Sequence, residues 1–267
     1  MLVHSRKGRW AAWICFAVLF VPLFAVPLLV IVAASFATNW SGVLPSGPTV
    51  EHYAAATRGE SLAALGVSLQ TALLASVLAL VIGTWAALSA ASAARHGWVR
   101  RVLDALFVLP VAVPSVVVGL AVLVAYSRPP VAFNGTRWIV MLAHTVLVTA
   151  FAYQSVSAAL ARLDPAYEQA AACLGARPWY VLLRVKLPLL LPSLTAATGL
   201  CFALSMGELS ATMMLYPPDW MPLPVQIFAA TDRGSLFTGS ALAVVLMAAT
   251  SLVLFAVSRV RTRASYR

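Results

Sequence analysis

Charge is scarce in this chain of 267 residues: Asp, Glu, Lys and Arg make up only 10% of it, where soluble domains carry about 25%. Cysteine is scarcer still. Cys15, Cys173 and Cys201 lie far apart without CxxC spacing, which excludes a disulfide scaffold and leaves them as small apolar filler. With 14 glycines and 16 prolines the chain is neither collagenous nor of low complexity. A GxxxxGK[ST] loop is missing, so nothing here cradles a nucleotide in the P-loop manner. HExxH, GxSxG and clusters of His or carboxylates are missing too, and with them the signatures of the common hydrolase and metal sites. What fills the chain is apolar: 62% of residues are hydrophobic and the mean hydropathy is +0.92. A soluble globule of this size could not hide so much apolar surface, so lipid is the main solvent.

Hydropathy places six spans at Ala12–Phe36, Gly66–Ala91, Val102–Tyr126, Trp138–Leu160, Ser193–Leu215 and Thr238–Ser258. Barrel strands would alternate in polarity over about 10 residues, whereas these runs are apolar all round. The expected fold class is therefore all-α, a polytopic membrane protein with six transmembrane helices. Arg6, Lys7 and Arg9 precede the first span like a signal peptide, but the run is far longer than the usual h-region of about 7–15 residues. It reads as an uncleaved anchor. The domain organisation expected is the N-terminus with the first span (1–40), a transmembrane domain (64–258) and a basic tail (259–267).

Arg and Lys outside the spans are distributed unevenly. With the N-terminus in the cytoplasm, fourteen lie inside and four outside, the outer ones being Arg58, Arg128, Arg137 and Arg233. This satisfies the positive-inside rule and puts both termini of a multi-pass membrane protein in the cytoplasm. The net charge of +10 sits at span ends rather than on one face, so it reads as topogenic and not as a nucleic-acid surface.

Few polar groups enter the spans. Asp104 follows Arg100 and Arg101 at helical spacing and is expected to be neutralised by them. His144 stands alone in the fourth span, where a packed or helix-bridging imidazole is favoured over a ligand or proton carrier. Glu208 lies in the fifth span, at a cost of about 2.5–3.5 kcal/mol on the gentler insertion scales. It either locks helices by a hydrogen bond or lines a passage. Small neighbours at Ser205, Gly207, Ser210 and Ala211 would let another helix approach closely. Pro110 and Pro114 interrupt the third span, either as a packing kink or as a broken helix beside a passage.

The loop 161–191 carries the sharpest local pattern. Asp164 and Pro165 suit a helix start, Glu168 its first turn and Gly175 its end. Glu168, Ala171, Ala172 and Gly175 share one face, made almost wholly of small groups. A second short helix is expected from Pro178, stopping before Pro188. Together these form an internal two-helix knob suited to a partner's groove.

Gln169-Ala170-Ala171, then Gly175, then Val185-Lys186-Leu187-Pro188 resemble the EAA loop (EAA-x3-G-x9-I-x-LP) of ABC importer permeases. Gln169 stands where that motif has Glu, with Glu168 just before it. Leu109-Pro110 to Gly119 and Gly207-Glu208-Leu209-Ser210-Ala211-Thr212 resemble further segments of the same family, with Ser210 where glycine is usual. Asn39-Trp40, Asn134-Gly135-Thr136-Arg137-Trp138 and Met213-Met214-Leu215-Tyr216-Pro217-Pro218 are most similar to the 2-aminoethylphosphonate permeases. The resemblance implies a type I importer permease fold and a non-catalytic subunit without a cofactor of its own. It implies coupling to ABC ATPase subunits through Glu168, Gln169, Ala170, Ala171 and Gly175. A second permease subunit and a periplasmic solute-binding protein would complete the assembly, and Glu208, Pro110 and Pro114 would lie on the pathway or lock its helices. The solute would be 2-aminoethylphosphonate or a relative. Alternatives are sulfate, molybdate, thiamine or iron, or an ion-driven secondary transporter with Glu208 as proton site. A membrane enzyme lacks a nucleophile–base pair within the spans.

Overall fold

Inside a bilayer each backbone N–H and C=O must find a partner within the protein, and the long apolar runs meet that demand as helices. The computed structural model describes residues 5–42, 44–92 and 97–264. Arg95 and Arg267, counted above among the inner cations, lie outside the described residues, as do the side chains of Arg261 and Arg263. Two units are distinguished, one holding residues 1–62 and 226–245, the other 63–225 and 246–267.

In the first unit, α1 (Arg6–Ser35) is long, apolar and exposed along most of its length, with a widened π turn at Val21–Ala25 where Pro22 withholds its N–H. A short antiparallel hairpin follows, β1 (Ala37–Asn39) on β2 (Ser46–Pro48), with Ala37 opposite Pro48. The sequence reading did not anticipate it. Next comes α2 (Glu51–Ala56), whose Tyr53 hydroxyl bonds Ser35 Oγ at 2.6 Å. This unit also holds most of α10 (Leu223–Asp232) and the start of α11 (Leu236–Ala264).

The second unit carries most of α3 (Gly59–Ser92), then α4 (Gly97–Ala112), α5 (Ser115–Ala125), α6 (Arg137–Leu160), α7 (Ala166–Cys173), α8 (Pro178–Met206) and α9 (Ser210–Leu215). Its packing is that of a membrane protein. On α3 the buried face is small (Ala72, Ala75, Ser76, Ala79, Ala87 and Ala90), while Leu73, Leu78, Ile82 and Trp85 point outward. Small inward residues bring backbones together, and the large apolar ones face lipid. α6 is the central rod, with Ile139, Val140, Ala143, Ala150 and Val156 fully buried. Trp220 donates its indole N–H to Thr71 Oγ1 at 3.1 Å, and the Leu223 N–H bonds Ser68 Oγ at 2.8 Å, which ties the segment after α9 to α3.

Among the described residues, five helices are long and apolar enough to cross a membrane, or six if the bent pair α4–α5 counts as one span. The third expected span is therefore corrected: it is two helices bent by 108°. Pro114 supplies no N–H and its backbone is extended (ψ 136), so helical bonding stops at Ala112 and restarts at Ser115. The fifth is corrected as well. The long helix ends at Met206, and a break at 207–209 precedes α9. Similarly, the short helix expected to stop before Pro188 runs on through it. A π turn at Leu182–Lys186, closed by the Leu187 N–H on Leu182 O, widens the helix where the proline ring would otherwise collide.

Candidate functional site

Two places in the second unit gather the residues singled out in the sequence. The first is the loop around α7. Asp164 Oδ1 accepts the Ala166 N–H at 2.9 Å, and Pro165 stands before the helix at φ −57. At the other end the Gly175 N–H bonds Ala172 O at 2.9 Å and the Ala176 N–H bonds Ala171 O at 3.0 Å. These crossed bonds form a Schellman end, and they require the left-handed φ of +76 that Gly175 adopts. α7 buries no residue. Gln169, Ala170, Ala172 and Gly175 are exposed, and Ala171 is half-buried. Leu174 is 88% exposed, with Tyr167, Trp179 and Tyr180 also open.

Glu168 is already occupied: its Oε2 lies 2.8 Å from Lys186 Nζ, on the π turn of α8. The sequence reading missed this pair, because the two residues are 18 apart and meet only when the loop folds back. Behind them is a cavity of about 430 Å³ lined by Arg100, Asp104, Tyr153, Asp164, Glu168 and Lys186. Arg100 Nε stands 3.6 Å from Asp104 Oδ2, while Tyr153 donates its hydroxyl to Asp104 Oδ1. The knob's polar root therefore faces the N-terminal part of α4 and the C-terminal part of α6.

The second place is a cavity of about 350 Å³ that brings Pro110, Pro114 and Glu208 together with His144, Phe151 and Ser205. Glu208 sits in the break after α8. Its Oε1 accepts the Ala211 N–H at 2.8 Å, and its carbonyl oxygen accepts the Thr212 hydroxyl at 3.1 Å. His144 Nε2 lies 2.8 Å from Thr212 Oγ1, and its Nδ1 lies 2.7 Å from Ser205 Oγ. His144, 2% exposed, thus bridges α6 to α8 and α9. The spacing of Ser205, Glu208 and Thr212 (i, i+3, i+7) was the available sign of this polar stripe. Close approach completes the wall: a Cβ on Gly119 would fall 2.9 Å from Ala211 Cα, so α5 and α9 could not pack as they do with any other residue there. Groups of three or more His, Cys, Asp or Glu able to hold a metal are absent among the described residues.

An exposed knob on a bundle of apolar helices, with a broken-helix cavity inside the same unit, is the architecture of a transporter's membrane subunit. The chain belongs to the inner membrane components of binding-protein-dependent transport systems, whose family pattern matches residues 79–264. It is 48% identical over 265 residues to a protein of Salmonella typhimurium named as a 2-aminoethylphosphonate transport system permease, PhnV, covering 98% of each chain. It is 28% identical over 236 residues to the putrescine transport system permease protein PotI of Escherichia coli K12, covering 86% of this chain and 83% of PotI. The fold matches a chain in the crystal structure of a bacterial ABC transporter that imports the acidic polysaccharide alginate. That match has a TM-score of 0.75 at 16% identity and covers 95% of this chain and 94% of that one. The protein is therefore an ABC importer permease, a non-catalytic subunit of a multi-pass inner-membrane system.

Proposed function

We propose that the chain forms part of the translocation path of an ATP-driven importer for 2-aminoethylphosphonate or a closely related phosphonate. The observation that carries the solute is the identity of 48%, running end to end, with the Salmonella permease. The protein works with a separate ABC ATPase pair, a periplasmic solute-binding protein and a second permease subunit, with both termini in the cytoplasm. The fourteen-to-four division of basic residues supports that orientation.

Coupling runs through α7. Its small face and uncovered flank support docking into an ATPase groove, with Ala170, Ala171 and Gly175 giving close approach. Because Glu168 holds Lys186, the polar contact with the ATPase falls to the exposed Gln169. When the ATPases close on ATP, the knob moves with them and shifts the inner ends of α4 and α6 across the polar cavity, opening the path by alternating access. Pro110, Pro114 and Glu208 line that path at the broken helices, and the Glu208–Ala211 bond also steadies α9.

The test is uptake of radiolabelled 2-aminoethylphosphonate by cells lacking the chain and by cells complemented with it, beside recovery of the ATPase with the tagged permease. Restored uptake together with ATPase recovery is expected. ATPase recovery without uptake would overturn the solute, and absence of the ATPase would overturn the coupling.

A further inference from the structure

Of the acids in this unit, Asp164 and Asp219 are unpaired but exposed, whereas Glu208 is unpaired and half-buried among the described residues. Asp104 has Arg100, and Glu168 in the loop has Lys186, but among the described residues Glu208 makes no ion pair. It is half-buried, in a sequence segment expected to lie at membrane depth. A carboxylate there is costly unless it faces water or a partner charge. One oxygen, Oε1, is held by the Ala211 N–H, which fixes the direction of the group. No protein hydrogen bond engages Oε2 among the described residues.

Besides Ser115, which also lines the cavity, the polar side chains of the wall are engaged with one another among the described residues. His144 is engaged by the Ser205 and Thr212 side chains, and the Thr212 hydroxyl donates to the Glu208 carbonyl. The rest of the lining is mostly apolar, including Pro110, Pro114, Leu147 and Phe151. The space of about 350 Å³ equals that of roughly ten waters at about 30 Å³ each, ample for a small organic ion. A cavity with one fixed, unpaired carboxylate and apolar walls suits a cation whose remaining atoms are short and partly apolar.

The geometry points to Glu208 as the contact for a primary ammonium group on the transported solute, made as the solute passes the cavity between α4–α5 and the α8–α9 break. This rests on the reading of the solute as an aminoalkyl phosphonate. The ammonium would meet Oε2 while Oε1 stays on Ala211, so solute could enter and leave without undoing α9.

The test uses the permease–ATPase complex in lipid nanodiscs without the binding protein, with thermal unfolding read against four probes: 2-aminoethylphosphonate, ethylammonium chloride, ethylphosphonate and sodium chloride at matched ionic strength. The first two should raise the midpoint and the last two should not. Glu208→Gln keeps an acceptor for the Ala211 N–H, so it should fold, lose both shifts, and lose uptake by about tenfold or more at unchanged membrane level and ATPase recovery. Glu208→Asp, which keeps the charge but shortens the reach, should fall between. Equal shifts with ethylphosphonate, an equal shift with sodium (an inorganic-cation site), no shift with ethylammonium, or uptake by Glu208→Gln within about twofold of the parent would each overturn the inference. The two readings fail separately. A Glu208-dependent ethylammonium shift in a system that imports no 2-aminoethylphosphonate would sink the solute and leave the ammonium site. Normal import with an indifferent Glu208→Gln would do the reverse.

Discussion

Substituting Gly175 separates backbone strain from contact with a partner. Gly175 closes α7 at φ +76, and a Cβ built there meets nothing within 4 Å. Within the described chain an added Cβ therefore collides with nothing, and the internal cost of Ala is the left-handed backbone alone, about 1–2 kcal/mol. That shifts the equilibrium between the closed and frayed helix end by a factor of about 5–30. Asn tolerates the left-handed region better and should cost less. Arg carries the same backbone cost as Ala and adds a long cationic chain at the end of the small face, where a docked ATPase would meet it. The expected order for ATPase recovered with the tagged permease, and for uptake at matched membrane levels, is Gly, then Asn, then Ala, with Arg far below. Equal recovery for Ala and Arg would mean that strain is the whole effect and that no partner approaches Gly175. Full recovery and uptake with Arg would refute the coupling role of α7.

The same loop makes a prediction about its two adjacent polar residues. Gln169→Ala should lower ATPase recovery more than Glu168→Ala, since Glu168 is engaged by Lys186 in a partly exposed pair worth about 0–1 kcal/mol; the reverse order would return the contact to the acid. Topology is tested in a cysteine-free background with single cysteines at Arg177, Thr49 and Pro218. Impermeant reagents added to intact cells should label positions 49 and 218 and spare 177, and labelling of 177 would invert the orientation.

Much of the functional reading came from local sequence, because its causes are local. The start and end of α7 depend on Asp164, Pro165 and Gly175 within a dozen residues, and the helix forms between them as their chemistry dictates. Span existence likewise follows from apolar length, and the first, second, fourth and sixth helices lie where hydropathy put them, extended at one or both ends.

What tertiary structure decided depends on which residues far apart in sequence come to face one another. The prolines of the third span announced an interruption, but the bend of 108° and the close approach of α5 to α9 at Gly119 and Ala211 appear only in the folded chain. His144 was legible as a lone polar group, yet its bridging role is fixed by Ser205 and Thr212, more than 60 residues away. Pairing of Glu168 with Lys186 was beyond any local rule, since it needs the loop to fold back onto a π turn. Glu208 shows the division most plainly. Composition marked it as costly in an apolar run, but only the folded chain caps α9 with one oxygen and leaves the other, among the described residues, without a protein partner beside a cavity. Hydropathy and capping act over one or two helical turns and so can be read from sequence; charge pairing and cavity formation depend on distances between helices, which packing alone sets.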